Sequence, residues 1–233
     1  MKKLIVANWK LNPSTLNEAK KLAAAISRKS KHLSVICPPA GFLSGVSFPR
    51  LGAQDCFWEN RGAYTGQVSP VQLKSLKVKY CIVGHSEKRA LGETDEMVNA
   101  KVRALLEQGI IPVLCVGFGT KVEQDDLEVT DILKSQLEAD LKSIDSSKVV
   151  VAYEPVWAIS NGDPLATNKV ASPEHAERMA IFIKHRFGVG KVLYGGSVNP
   201  YNAKGYLDQP NIDGLLPGGS SLIPKYFNQI INL

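Results

Sequence analysis

The chain has 233 residues, of which 44% are hydrophobic, and it is therefore long enough for one sizeable core. No stretch approaches the roughly 18 consecutive apolar residues of a membrane span, and the N-terminal MKKLIVANWK becomes polar too soon for a signal peptide, so we expect a soluble cytoplasmic protein. The net charge of +6 is scattered and lacks interleaved aromatic residues, which favours a small anionic ligand over nucleic acid.

Short apolar runs rich in Val and Ile alternate with helical patterns along the chain and predict eight strands. The runs are KLIVAN (3–8), LSVIC (33–37), LGAQ (51–54), YCIVG (80–84), IPVLCV (111–116), VVVAY (149–153), KVLYG (191–195) and DGLL (213–216). They show little alternation of apolar and polar residues, which is typical of strands buried on both faces of a parallel sheet.

Amphipathic helical patterns lie between these runs. Their apolar positions are Leu16, Ala19, Ala23 and Ile26; Val98, Val102, Leu105 and Leu106; Leu133, Leu137 and Leu141; and Ala176, Met179, Ala180 and Ile183. Ser14 or Thr15 is predicted to cap the first helix, and SPEH (172–175) places a proline at the first position of a later helix. The helices after strands two, three, seven and eight are predicted to be short.

A strand followed by a helix, repeated eight times, implies a parallel sheet with right-handed crossovers. Closing that sheet predicts an α/β fold of the (β/α)8 barrel type, and we expect residues 1–233 to form one barrel domain. An open doubly wound sheet is the structural alternative, but no GxGxxG motif follows the first strand.

The cysteines and histidines do not suggest a metal site. The four cysteines form no CxxC pair, and three of them lie in strand-like apolar runs, which favours small buried thiols over disulfides or metal ligands. The four histidines have no metal-site spacing. These residues are Cys37, Cys56, Cys81 and Cys115, and His32, His85, His175 and His185.

Functional side chains of a closed parallel barrel lie where the strands end and lead into helices. The first predicted strand ends in ANWKLN, where Asn8 and Lys10 are two residues apart and so point to the same side of an extended chain. The fourth strand runs into His85 and the sixth into Glu154. Each could be structural when taken alone, as a solvated lysine, a structural histidine or an ion-paired carboxylate. Together, at the ends of three strands on one face of the barrel, they predict an active site.

Two later loops carry paired glycines, YGGSV (194–198) and PGGSS (217–221). They follow strands seven and eight, where barrels often bind phosphate through loop amides and the N-terminus of a short helix. Glycine has no Cβ, so its backbone N–H can approach phosphate oxygens closely. One such pair usually marks a turn, whereas two in adjacent loops, opposite Lys10, indicate a phosphate site.

Six motifs, in the same order, resemble those of the triosephosphate isomerase family of TIM barrels, and the similarity covers essentially the whole chain. They are ANWKLN, GAYTGQVSP, IVGHSEKRALGETDE, AYEPVWAI, YGGSV and DGLLPGGSSL. The resemblance implies interconversion of dihydroxyacetone phosphate and D-glyceraldehyde 3-phosphate through an enediolate, in glycolysis and gluconeogenesis, with no cofactor. It also implies a homodimer that binds a triose phosphate, without a nucleic acid or membrane partner.

The same resemblance assigns roles to the residues of the site. Glu154 would be the base that moves a proton between adjacent carbons, and His85 would polarise the carbonyl group. His85 precedes a polar turn expected to begin a helix, whose N-terminal amides would keep the imidazole neutral. Asn8 and Lys10 would stabilise the anionic substrate and intermediate, with Glu87 holding Lys10 in place. The predicted substrate- and phosphate-binding residues are Asn8, Lys10, Ser160, Ser197, Gly218 and Gly219.

The segment after Glu154 corresponds to the lid that excludes water in the family, and it departs from the family pattern. Where the family usually reads AIGTGK, this chain reads AISNGDPLATNKVASPE and is several residues longer. Ser160 takes the position of a glycine whose amide binds the phosphate, and serine retains that N–H. We expect the insertion, Asp163 to Asn168, to change the kinetics of lid closing more than the chemistry.

A second departure concerns the dimer contact. Gln67 and Lys88 stand where the family usually has Glu and Arg, and an amide with an ammonium group matches less well than a bidentate pair. The motif GAYTG is retained, so a homodimer is still expected. Pro217 and Phe118 also differ from the family pattern, and the sequence explains neither.

Two other functions compete with this one. Another phosphate-binding barrel, such as an isomerase or synthase of amino-acid biosynthesis, would explain the glycine loops but not the combination of Asn8, Lys10, His85 and Glu154. A degenerate barrel used as a binding or scaffold protein would need no base facing a neutral electrophile.

Overall fold

The computed structural model describes residues 2–159 and 170–233. Its eight strands form one sheet in the order β2-β1-β8-β7-β6-β5-β4-β3, with parallel neighbours throughout. A parallel bridge between Ile36 and Leu51 joins β2 to the start of β3 and closes the barrel. The strands are β1 Leu4–Asn8, β2 Leu33–Cys37, β3 Gly52–Ala53, β4 Tyr80–Val83, β5 Ile111–Val116, β6 Val150–Tyr153, β7 Lys191–Tyr194 and β8 Gly214–Leu215. Each lies within a predicted run, and the predicted barrel is confirmed.

Helices of very unequal length connect these strands. The α-helices are α1 Leu16–Ala25, α2 Pro70–Ser75, α3 Ser86–Ala90, α4 Asp95–Glu107, α5 Asp126–Asp140, α6 Pro173–Phe187, α7 Ala203–Leu207 and α8 Pro224–Ile230. Strand β2 is followed only by a 3₁₀ turn, Ala40–Phe42. The short helices predicted after strands two, three, seven and eight are thus confirmed. No helix in the described residues is both long and apolar enough to cross a membrane.

The helix starts follow the capping residues of the sequence. Thr15, rather than Ser14, caps α1: its hydroxyl accepts from the Glu18 N–H at 3.2 Å, and the Glu18 carboxylate accepts from the Thr15 N–H at 3.0 Å. This reciprocal pair of hydrogen bonds satisfies two backbone N–H groups that an uncapped helix would leave without partners. Ser172 caps α6, and Pro173 occupies the first helical position as predicted.

The core has two layers separated by the barrel wall. Inside the barrel pack alternate strand residues such as Leu4 and Val6 of β1, and Val150 and Ala152 of β6. Their neighbours Ile5 and Ala7 point outward against the helices. Because side chains alternate along a strand, this register directs Asn8, which ends β1, and Glu154, which follows β6, inward at the carboxyl end of the barrel. All four cysteines are free and buried, as predicted.

Candidate active site

One pocket opens at the carboxyl end of the barrel, between the loops that follow β1, β4, β6, β7 and β8. It encloses about 480 Å³, counting its open mouth. The structure brings together in its lining the predicted residues Asn8, Lys10, His85, Glu154, Ser197, Gly218 and Gly219. Polar groups from distant parts of the sequence therefore converge on one small space.

Glu154 lies directly after β6 and is only 2% exposed. Its backbone N–H continues the sheet by donating to the Val116 carbonyl at 2.8 Å. Its carboxylate accepts from the Ser86 N–H at 3.4 Å and lies 3.4 Å from His85 Nε2. Both distances are long for hydrogen bonds. The backbone of Glu154 is therefore fixed by the sheet, whereas its carboxylate is only weakly bound.

Two glycines that directly follow the neighbouring strands make room for Glu154. A Cβ at Gly195, after β7, would lie 2.7 Å from Glu154 Cγ, and one at Gly117, after β5, would lie 2.6 Å from the Glu154 carbonyl oxygen. Real Cβ atoms do not approach other atoms so closely, because ordinary carbon contacts begin near about 3.5 Å. The site thus requires the absence of side chains at both positions.

His85 caps the short helix α3 and faces the pocket. Gly84, with φ of 68°, turns the chain out of β4 just before it. His85 Nδ1 accepts from the Glu87 N–H at 3.2 Å, so this nitrogen carries no hydrogen. The neutral ring then carries its hydrogen on Nε2, the nitrogen nearest Glu154. The helix predicted after His85 is present, and its Glu87 N–H fixes the tautomer.

Lys10 reaches the pocket by a route that the sequence analysis described wrongly. The strand ends at Asn8, and Lys10 has a left-handed backbone with φ of 52°, so the two residues do not share one face of an extended chain. Instead, Asn8 Oδ1 accepts from the Lys10 N–H at 3.0 Å, and Gln54 Nε2 donates to the Lys10 carbonyl at 2.8 Å. Lys10 Nζ then lies 2.6 Å from Glu87 Oε1. Asn8 and Gln54 thus fix the backbone of Lys10, and Glu87 holds its ammonium group.

The paired-glycine loops line the opposite side of the pocket and are tied to each other. Ser220 Oγ donates to the Val198 carbonyl. The N–H groups of Gly219 and Ser220, which begin a 3₁₀ turn, have no protein acceptor in the part of the chain that the structure describes. The Ser197 N–H donates to the Ala158 carbonyl at 2.8 Å, so that predicted phosphate donor has a protein partner here.

The start of the predicted lid is held against the loop after β5. Pro155 precedes a 3₁₀ turn, Val156–Ala158, and the Val156 N–H donates to Thr120 Oγ1 at 3.3 Å. Thr120 Oγ1 in turn donates to the Gly117 carbonyl at 2.8 Å. Ser160 and the insertion from Asp163 to Asn168 lie outside the described residues.

A model of the triosephosphate isomerase family matches residues 3–233 of this chain. Triosephosphate isomerase from Trichodesmium erythraeum is 40% identical, over 100% of this chain and 99% of the relative. The proteins of that name from Lactobacillus delbrueckii subsp. lactis and Aquifex aeolicus are each 38% identical, over 98% and 99% of this chain and 97% and 99% of the relatives. The chain belongs to the triosephosphate isomerase family.

Membership of this family defines the reaction. The protein is an intramolecular oxidoreductase that interconverts dihydroxyacetone phosphate and D-glyceraldehyde 3-phosphate, a step of glycolysis and gluconeogenesis. The resemblance drawn from the six motifs is confirmed.

The positions that depart from the usual family pattern form ion pairs or hydrogen bonds within this chain, through the side chain of Lys88 and through the backbone of the others. Lys88 Nζ lies 2.9 Å from Asp55 Oδ2 in the same chain. Pro217 offers its carbonyl to the Asn8 N–H at 3.0 Å, which extends the β1–β8 contact. The Phe118 carbonyl accepts from Gln136 Nε2 at 2.7 Å. The Gln67 N–H donates to the Tyr64 carbonyl at 3.1 Å.

Arg89 is a buried part of this site that the sequence analysis missed. Its Nε donates to the Gly84 carbonyl at 2.9 Å, just before His85, and its other nitrogens pair with Asp95 and with Asp140 at 2.6 Å. Burial raises the pKa of Asp140 to about 8, against the opposing effect of Arg89. One guanidinium shared by two carboxylates leaves the buried one undercompensated. Only the pattern HSEKR followed by an acidic helix start could have suggested such a cluster.

A second missed network lies behind Glu154. The Tyr153 hydroxyl is 2.9 Å from His175 Nε2, and His175 Nδ1 is 2.9 Å from Asp126 Oδ1. Asp126 also pairs with Arg178, and these contacts lower the pKa of its carboxyl group. Tyr153 directly precedes Glu154, so the network joins the end of β6 to the starts of α5 and α6.

Proposed function

We propose that Glu154 is the base of the isomerisation and that His85 and Lys10 stabilise the charge that develops on the substrate. The convergence of the three groups on one pocket carries this proposal. Glu154 removes a proton from the carbon next to the carbonyl and returns it to the neighbouring carbon. A positioned base contributes roughly 10²- to 10⁴-fold in rate, so electrostatic stabilisation must supply much of the remainder.

His85 supplies a neutral hydrogen-bond donor. Because Nδ1 already accepts from the Glu87 N–H, the hydrogen on Nε2 is available to the carbonyl oxygen of the substrate. Lys10 adds a full positive charge, held near the pocket by Glu87 at 2.6 Å. The burial of His85, which is 7% exposed, strengthens its hydrogen bond to the substrate, because polar groups interact more strongly in a medium of low dielectric constant. Asn8 orients Lys10 through the Lys10 N–H.

The phosphate group of the substrate binds to the glycine loops in this proposal. The Gly219 and Ser220 N–H groups support it, since they line the pocket without a protein acceptor in the described residues. Gly218 lies against Lys10, where a Cβ would stand 3.4 Å from Lys10 Cε. For Ser197 to bind phosphate through its amide, its bond to Ala158 must open. Ser160 is proposed as a further amide donor by family resemblance alone.

A coupled assay with D-glyceraldehyde 3-phosphate tests the role of Glu154. We expect Glu154→Gln to lower kcat about 10²- to 10⁴-fold, since the amide cannot accept the proton. Glu107→Gln, an exposed carboxylate at the end of α4, serves as the matched control and should retain wild-type kcat. Near-wild-type turnover of Glu154→Gln, with an unchanged fold, would assign the base to another residue.

We further propose that the protein is a cytoplasmic homodimer and that residues 1–233 act as one barrel domain. A groove of about 610 Å³, counting its open mouth, supports the dimer: Leu91 and Met97 line it, beside Gln67 and Lys88. Leu91 is 84% exposed, and a large apolar side chain so exposed favours burial against a partner. Free buried thiols suit a reducing compartment.

Light scattering at micromolar concentration tests the dimer. We expect a dimeric mass for the wild type and a monomeric mass for Leu91→Glu, because burying a lone carboxylate in an apolar contact is unfavourable. Leu127→Glu, on the exposed surface of α5, is the matched control and should leave the mass unchanged. Identical masses for wild type and Leu91→Glu would remove this groove from the interface.

A further inference from the structure

The end of the barrel opposite the pocket is strongly basic. Because all eight strands are parallel, the residues just before them lie together at that end. Each strand's first residue and the two before it include seven Lys or Arg and one Asp, whereas each strand's last residue and the two after it include one Lys and two acidic residues. The basic residues are Lys2, Lys3, Lys31, Arg50, Lys79, Lys148 and Lys191. The fold thus gathers charges that the sequence scatters.

Most of this basic ring is exposed and not neutralised by carboxylates. Lys3 Nζ donates to the backbone carbonyls of Gln209 and Ile212. Asp213 forms an ion pair with Lys184 Nζ at 2.7 Å. In the described part of the chain, Lys148 has a carboxylate partner, the exposed Asp145 at 3.3 Å, and Lys191 has none. Exposed ion pairs of this kind contribute little, so the end retains a net positive field.

An apolar pocket of about 820 Å³, counting its open mouth, opens within this ring, between the starts of β5, β6 and β7. Ile110 and Val149, each 1% exposed, form its floor, and Ile111, 36% exposed, forms a wall. Lys148 and Lys191 lie at its rim. We call these residues the basal pocket. The isomerisation uses none of them.

Lys79 adds a third cation beside the basal pocket. Its carbonyl accepts from the Ile111 N–H at 3.0 Å, which places Lys79 next to the Ile111 wall. On the other side, Lys191 pairs in register with Val150, adjacent to the floor residue Val149. Three lysines therefore lie among, or next in the sheet to, the residues that line this recessed apolar surface.

We propose that the basal pocket binds an acidic segment of another protein, one that inserts a large apolar side chain between Asp or Glu residues. A pocket of this volume accommodates such an anchor, and buried anchors supply most of the affinity of an interface. The rim lysines match the flanking carboxylates and raise the rate of encounter.

The shape of the surface favours a protein segment over a membrane or nucleic acid. Membrane-binding surfaces insert protruding apolar side chains into the lipid, whereas Ile110 and Val149 are recessed. Single-stranded nucleic acid stacks its bases on exposed aromatic rings. In the described residues the exposed aromatic side chains are Tyr64, Phe118 and Tyr201, and none lines the basal pocket.

Fluorescence polarisation with a labelled peptide tests the proposal. The probe is a short peptide with a central tryptophan flanked on both sides by Asp and Glu, added to the intact protein at low ionic strength. We expect Lys148→Glu combined with Lys191→Glu to weaken binding at least about tenfold. Lys121→Glu combined with Lys134→Glu changes the net charge equally on exposed residues away from the basal pocket and should bind like the wild type.

A second peptide and two competitors decide what is recognised. Replacing the tryptophan by serine should weaken binding to the wild type about tenfold, because the anchor is lost. The proposal is overturned if the wild type does not bind the probe, if both charge variants lose binding equally, or if the serine peptide binds as well. It is also overturned if phosphatidylserine vesicles or single-stranded DNA displace the probe and bind more tightly through the same lysines. Unchanged isomerase activity in both variants verifies that they are folded.

Discussion

Replacing Gly195 by alanine tests the placement of Glu154 most directly. The new Cβ would lie 2.7 Å from Glu154 Cγ and 3.3 Å from the Tyr153 carbonyl oxygen. Carbon atoms normally approach to about 3.5–4.0 Å, so the Glu154 side chain must move by about 1 Å. A reacting group misplaced by about 1 Å can lower the rate about 10²-fold, which corresponds to about 2.7 kcal/mol in activation free energy. We therefore expect kcat of Gly195→Ala to fall about 100-fold.

The measurement is kcat in a coupled assay, with thermal unfolding recorded on the same samples. Gly41→Ala is the matched control, because a Cβ there would meet no atom within 4 Å. We expect Gly41→Ala to retain wild-type kcat. If Gly195→Ala kept kcat within about threefold of the wild type, the carboxylate would not lie where the structure places it, and the reasoning would be wrong.

Three further changes test the surrounding structure. Asp140→Asn should flatten the pH dependence of stability. The folded-state pKa of Asp140, about 8, exceeds the ordinary value of 3.8, so the wild type takes up a proton on folding. Its free energy of unfolding therefore falls as the pH rises from about 4 to 8. Urea unfolding across that range measures the slope, and an equal slope in the variant would contradict the assignment. Tyr153→Phe removes the bond to His175 but keeps the ring, and should lower the free energy of unfolding by about 1 kcal/mol; no change in urea unfolding would mean that the bond is absent in solution. Gly117→Ala should destabilise the fold by about 1–3 kcal/mol or more, since φ at Gly117 is 113° and the Glu154 carbonyl oxygen blocks the new Cβ. An unchanged melting temperature would argue against this close contact between Gly117 and Glu154.

The barrel was predictable because its signals are local. Runs such as IPVLCV are short, apolar and rich in β-branched residues, and each gives a strand of the structure. Thr15 and Ser172 cap helices for reasons that a few neighbouring residues contain. Even β3, reduced to Gly52–Ala53, lies within the predicted run LGAQ (51–54).

The site was predictable only in part, because it depends on contacts between distant residues. The alternation along β6 places Glu154 inward, as expected, but Lys10 reaches the pocket through a left-handed backbone that no strand pattern contains. The space left by Gly195 depends on the pairing of β7 with β6, and the burial of Asp140 depends on the packing of α5 against α4. Neither the space beside Gly195 nor the burial of Asp140 can be read from neighbouring residues of a single sequence.

The left-handed backbone of Lys10 has a consequence for how this enzyme can adapt to heat. A residue with a Cβ pays roughly 1–2 kcal/mol to adopt that conformation, whereas glycine adopts it freely. In the proposed mechanism, Lys10 supplies an ammonium group at a position where glycine would be the more stable choice. Under that proposal, a gain in thermal stability that keeps the activity comes from other residues, because Lys10→Gly would remove the strained conformation and the ammonium group together.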